Sequence, residues 1–222
     1  MRNPWIELPE RSPYVLPTDH PHVDAFNYHS HKDPGYRFDL SLLPQPFLGN
    51  LQAPLIVLGR NPDVAGGHRA GAYADAIRAN LTSESGNGAL LGLLPEFDEE
   101  PNARWWRRCF REVLDELGSS PGDIAPRILS IEFHGYHSER WKLLPTLPSQ
   151  HYGFWLVEQA IARGATVVVM RGQRDWEIAV PALRGHRPTV TLVNPRSATI
   201  SRANCSQNGF DAVLRALTDG RP

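Results

Sequence analysis

From residue 54 onward, apolar residues fall into two alternating spacings: short unbroken runs and longer helical repeats. Residues 54–59 read Pro-Leu-Ile-Val-Leu-Gly, a continuous apolar run closed by glycine, as in a strand buried on both faces of a parallel sheet. Residues 127–133, 166–170 and 189–193 repeat the pattern and predict three more strands. Between them, Trp106, Phe110, Val113, Leu114 and Leu117 recur at helical spacing, with Asn102 as the candidate N-terminal cap and Gly118 the stop. Residues 72–80 and 149–163 also read as helices, and Phe210, Val213, Leu214 and Leu217 mark a closing one.

Strands alternating with helices, on near-continuous apolar strands, predict an α/β fold. The expected form is a three-layer α/β/α sandwich around a central, mostly parallel four-stranded sheet. Residues 1–50 carry prolines, histidines and aromatics without a period and predict an irregular N-terminal arm packed on the core. Its polar stretch, 19–33, is expected to be mobile. Residues 51–222 form the expected α/β domain.

Composition narrows the function classes. A formal net charge of -1 over 222 residues gives no overall basic bias of the kind that marks a nucleic-acid binder, although a local groove can still be basic. Cys109 and Cys205 stand far apart with no metal-type spacing, which suits buried thiols in a cytoplasmic protein. No apolar run approaches the roughly 20 residues that span a bilayer, and no signal-type segment opens the chain, so no membrane partner is expected. The segment Gly59-Arg60-Asn61-Pro62 is neither a P-loop nor a dinucleotide fingerprint, and no cofactor is expected.

Candidate chemistry gathers where the strands end. In an open α/β sheet the carboxyl ends of neighbouring strands face one crevice. Asn61-Pro62 follows the first predicted strand and Asn194-Pro195 the last. The second leads into Glu132, His134, Tyr136, His137 and Ser138. His137 can donate to a base carbonyl or a phosphate, or serve as acid or base near neutral pH. Glu132, His134 and His137 are chemically suited to a metal, but their spacing matches no metallopeptidase motif. Phe133, Tyr136 and Trp141, with Gln173 and Trp176, are candidates to stack on a flipped base. Gly59 and Gly172 relieve crowding at turns or let a substrate approach the backbone.

In order, the strand-end segments Gly59-Arg60-Asn61-Pro62-Asp63, Glu132 to Ser138, Met170-Arg171-Gly172 and Asn194 to Ser201 resemble the uracil-DNA glycosylase superfamily. The likeness is greatest to its mismatch-specific branch, and it covers roughly residues 54–217. It implies that Asn61 positions the attacking water and that His137 or Asn194 stabilises the departing base. Arg196, which replaces the small polar residue of that pattern, could hold phosphate together with Ser197, and the resemblance places Ile200 near the side chain that wedges into the vacated duplex position. Asp63 replaces the glycine of that pattern and could stabilise positive charge on the sugar or activate water. The implied ligand is DNA or a nucleoside-like molecule with a damaged or modified base. Two other readings stand beside it: a non-catalytic nucleic-acid- or nucleotide-binding protein, and a hydrolase built on residues 132–138.

Overall fold

The computed structural model describes residues 1–83, 85–206 and 208–219. Its strands are β1 (Phe47–Gly49), β2 (Leu55–Gly59), β3 (Ile128–Glu132), β4 (Thr166–Val169) and β5 (Thr189–Thr191). The helices are α1 (His20–His29), α2 (Ala72–Thr82), α3 (Pro101–Leu117), α4 (Pro121–Ile124), α5 (Gln150–Ala162), α6 (Gln173–Ala179) and α7 (Gly209–Thr218). The strands form one mixed sheet in the order β1-β3-β2-β4-β5. Strands β3, β2, β4 and β5 run parallel, and β1 joins the outer edge of β3 antiparallel.

The sheet therefore has five strands where the sequence predicts four. The fifth comes from the arm, which is not irregular throughout. Phe47-Leu48-Gly49 pairs with Leu129 to Ile131, and Glu132 N–H donates to Pro46 O (2.9 Å) just beyond the ladder. Helix α1 lies in the stretch expected to be mobile. It buries Val23 alone, and side chains around it fasten the arm. Asn27 exchanges two hydrogen bonds with the Phe38 backbone, while the buried Asp19 accepts from Tyr136 Oη and Ser149 N–H.

In-register residues on neighbouring strands share a face, which sorts the helices into layers. Val57, Ser130, Val168 and Val190 form one face; Leu58, Ile131, Val169 and Thr191 form the other. Helix α7 covers the first, where a Cβ on Gly209 would stand 2.5 Å from Val190 Cγ1. Helix α5 covers the second, where Gly153 approaches Ile131 and the Tyr152 ring lies 5.7 Å from that of Phe47. Helix α3 packs beside α7 and ends at Gly118, whose φ of 57° supplies the left-handed turn that closes a helix. Trp176, fully buried on α6, donates from Nε1 to Gly59 O (2.8 Å) and pins the exit of β2. Among the described residues, no helix is long and apolar enough to cross a membrane.

Candidate functional site

Strand β2 lies between β3 and β4, so the chain leaves it to one side for β3 and later crosses to the other for β4. A crevice opens at the carboxyl ends of strands where the order reverses in this way. Here it is a cleft of about 420 Å3, within the range of small-molecule sites. Its floor is the first sheet face, with Val57, Gly59, Ser130 and Glu132. Helix α3 forms one wall through Asn102, Trp105 and Trp106, and the Asn61 loop forms another.

The Asn61 carboxamide has a defined orientation. Its Nδ2 donates to Ser138 O and Ser138 Oγ, both at 3.0 Å, and to Pro62 O at 3.3 Å. Ser138 O only accepts, so the amide nitrogen must face it, and Oδ1 is left without a protein partner among the described residues. The loop is fastened again where Asn102 donates to Gly66 O (2.9 Å), tying α3 to it. Asp63 lines the same wall, but its Oδ1 accepts from Ala65 N–H (3.3 Å) and caps the next short turn.

Glu132 brings an unsatisfied carboxyl oxygen to the cleft. Its Oε2 is shielded from solvent and has no hydrogen-bond partner among the described residues. Burial pushes its pKa up to about 7, against the opposing charge of Arg171. Gln45 Nε2 and Arg60 Nε, on other cleft-lining residues, are likewise shielded and unpartnered. Arg108 and Arg171 add guanidinium groups to the lining and are exposed.

Of the residues singled out from the sequence, Gly59, Asn61 and Asp63 line the cleft together. The histidines lie elsewhere. His137 is buried between two main-chain oxygens, Nδ1 at 2.8 Å from Asp63 O and Nε2 at 2.9 Å from Leu43 O, and so ties the arm to the Asn61 loop. Burial lowers its pKa, against the two carbonyl bonds and Asp39. His134 stacks on Trp141 with ring centroids 4.7 Å apart, and among the described residues neither ring nitrogen makes a hydrogen bond of good geometry, although the Gln150 side chain lies near enough to act on it. Burial lowers its pKa to about 3. Tyr136 donates to Asp19 (2.8 Å) beneath the arm, and burial raises its pKa. Glu132, His134 and His137 therefore do not converge, and among the described residues no cluster of three or more His, Cys, Asp or Glu could hold a metal ion.

The last loop is also turned away. Asn194, Arg196 and Ser197 are exposed and do not line the cleft. Asn194 Oδ1 accepts from Arg196 N–H (3.2 Å), and Asn204 clasps the loop by accepting from Asn194 N–H and donating to Thr199 O. Ala198, with a φ of 49°, is the part of this loop that reaches the cleft. Ile200 is fully buried, its N–H donating to Cys109 O (2.8 Å) on α3. Gly172 has a φ of 74° and starts α6 outside the lining.

Two further polar residues of the lining, Gln45 and Ser130, were not among the sequence candidates. The second left a signal: Ser130 interrupts an apolar strand two residues before Glu132, so both face the same side. No family model, no curated protein and no solved structure matches the chain.

Proposed function

We propose that the protein binds a nucleobase-bearing ligand in this cleft and hydrolyses its N-glycosidic bond, as a divergent member of the uracil-DNA glycosylase-like superfamily acting on a damaged or modified base. One observation carries the reading: Asn61, its amide nitrogen spent on Ser138, shares a cleft with the unpartnered Glu132 carboxyl. Asn61 Oδ1 accepts a hydrogen bond from a water and holds it beside the anomeric carbon. The water oxygen bonds to that carbon, the carbon–nitrogen bond breaks, and the base departs with the electron pair. The proton that the water loses passes through solvent to the nitrogen of the departing base, which leaves as the neutral free base. Asp63, a carboxylate in the cleft wall beside Asn61, favours the positive charge that develops on the sugar. This chemistry belongs to a DNA-repair hydrolase. Two unpaired, buried cysteines fit a cytoplasmic setting.

A non-catalytic nucleic-acid-binding role is favoured by a separate feature, the exposed Arg104, Arg108 and Arg111 of α3 beside the cleft. Arg202 adds little to that track, because its guanidinium bonds Asp211 and Glu116. A hydrolase centred on residues 132–138 loses support from the two histidines, one spent on carbonyls and one buried in an aromatic stack.

The test is an end-labelled panel of single- and double-stranded DNA carrying uracil, mismatches and damaged bases, resolved for abasic product. Product formed by the protein and lost with Asn61→Ala is expected. No product at enzyme excess would favour the binding role.

A further inference from the structure

The floor of the cleft holds three polar side chains, Gln45, Ser130 and Glu132, and among the described residues two of them carry shielded atoms without a hydrogen-bond partner. Ser130 and Glu132 point to the same sheet face by strand alternation, and among the described residues Glu132 Oε2 is shielded without a hydrogen-bond partner. Gln45 reaches them from the arm, because the antiparallel run at β1 extends past the strand: Glu132 N–H donates to Pro46 O (2.9 Å) and Gln45 N–H to Gly135 O (2.8 Å). Gln45 Nε2 is shielded and unpartnered, as is Glu132 Oε2. Burying such groups without partners costs stability, and each such group in a folded protein calls for a reason. All three line the cleft.

We infer that Gln45, Ser130 and Glu132 form the subsite that reads the edge of the bound heterocycle, and that it takes a guanine-type edge of two adjacent N–H donors beside a carbonyl oxygen. The inference rests on the reading of the cleft as a nucleobase site. An ionised carboxylate offers two acceptors and pairs bidentately with two parallel N–H groups. A carboxamide NH2 and a hydroxyl both donate to a carbonyl oxygen. Guanine presents that set on one edge. Uracil has one N–H between two carbonyls, so one carboxylate oxygen would face another oxygen. Cytosine would turn a ring lone pair toward the carboxylate, and adenine brings no carbonyl for Gln45 or Ser130. Trp105, partly buried in the wall, offers a face for the ring, and Arg108 and Arg171 offer cations for a phosphate.

The experiment is a titration of the whole protein at pH 8 with the 5′-monophosphates of guanosine, inosine, adenosine and uridine, read by tryptophan fluorescence and calorimetry. Inosine monophosphate lacks only the 2-amino group, so this comparison needs no variant. The guanosine nucleotide should bind about tenfold more tightly than the inosine one, with the adenosine and uridine nucleotides weaker still. Glu132→Gln, nearly the same in shape, should remove that margin. Equal or tighter binding of any other nucleotide, a margin that survives Glu132→Gln, or no binding at all would overturn the inference. Base release from the DNA panel is read separately: abasic product without guanine preference would leave the proposed function standing and sink the subsite alone.

Discussion

The Glu132 carboxyl lies directly over the Cα of Gly59, its register partner on β2. A Cβ at Gly59 would stand 2.2 Å from Oε2 and 2.5 Å from Oε1. The glycine is there to make room for a carboxyl group. Gly59→Ala must push that group aside, and since the obstacle is the end of a flexible side chain, the fold gives way cheaply. Guanosine monophosphate affinity should drop about tenfold, while stability changes by under about 1 kcal/mol. Calorimetric titration and a denaturant melt of the same variant check both halves.

Glu132 also gives the site a pH dependence. Burial raises its pKa to about 7, above the ordinary carboxyl value of 4.5. Between those values the folded protein holds a proton that the unfolded chain has released. The associated stability is complete below pH 4.5 and is lost as pH rises through 7. A ligand edge with two N–H donors selects the ionised form, so its affinity should rise about tenfold from pH 6 to pH 8. The other charged groups lining the cleft are Arg60, Asp63, Arg108 and Arg171. Parallel titrations of the protein and of Glu132→Gln at the two pH values test this, and the variant should show a flat profile.

His134 works in the opposite sense two residues on. Burial against Trp141 and Phe38 lowers its pKa from 6.5 to about 3, with Gln150 opposing. As pH falls, the unfolded chain takes the proton first, so stability is full above pH 6.5 and drains away toward pH 3. The loss is on the order of 4 kcal/mol. His134→Phe keeps an aromatic ring against Trp141 and removes the titration. Urea midpoints at pH 7 and pH 4 should differ widely for the protein and far less for the variant.

In the proposed mechanism Ser138 would act on base release through Asn61. Its main-chain and side-chain oxygens together fix the amide nitrogen, and Ser138→Ala removes one of the two bonds. The carboxamide then loses part of its alignment, not its presence. Base release should fall by about 10 to 100-fold, with nucleotide affinity within about twofold. Single-turnover rates beside binding titrations separate the two effects.

How far the molecule is legible in its sequence depends on whether a segment's own residues carry its reasons. Strands β2, β3 and β4 are continuous apolar runs, and α3 repeats its apolar residues at helical spacing, so local pattern and burial agree. Strand β1 has three residues behind Pro46, too few for a period, and exists because β3 offers an open edge. Helix α1 buries only Val23 and depends on remote partners, among them Phe38 for Asn27 and Tyr136 for Asp19.

The site divides the same way. Asn61 and Glu132 stand out because they are polar residues at the ends of buried strands. Gln45 does not, because only its pairing beside Gly135 carries it to the cleft floor. Asn194 follows an apolar run just as Asn61 does, yet Asn204, ten residues later, clasps its loop away from the cleft. Trp105 and Trp106 are adjacent and both reach the cleft wall, and helix rotation leaves the first partly exposed and the second buried.

The most direct measurement of the central claim is mass spectrometry of the products formed from a responsive DNA strand in water enriched in oxygen-18. The account predicts free base, together with an abasic sugar carrying the heavy oxygen at its anomeric carbon, and both should be lost with Asn61→Ala. Product formation by Asn61→Ala at the rate of the unaltered protein, or an intact strand after prolonged incubation with excess protein that still binds nucleotides in the cleft, would contradict it.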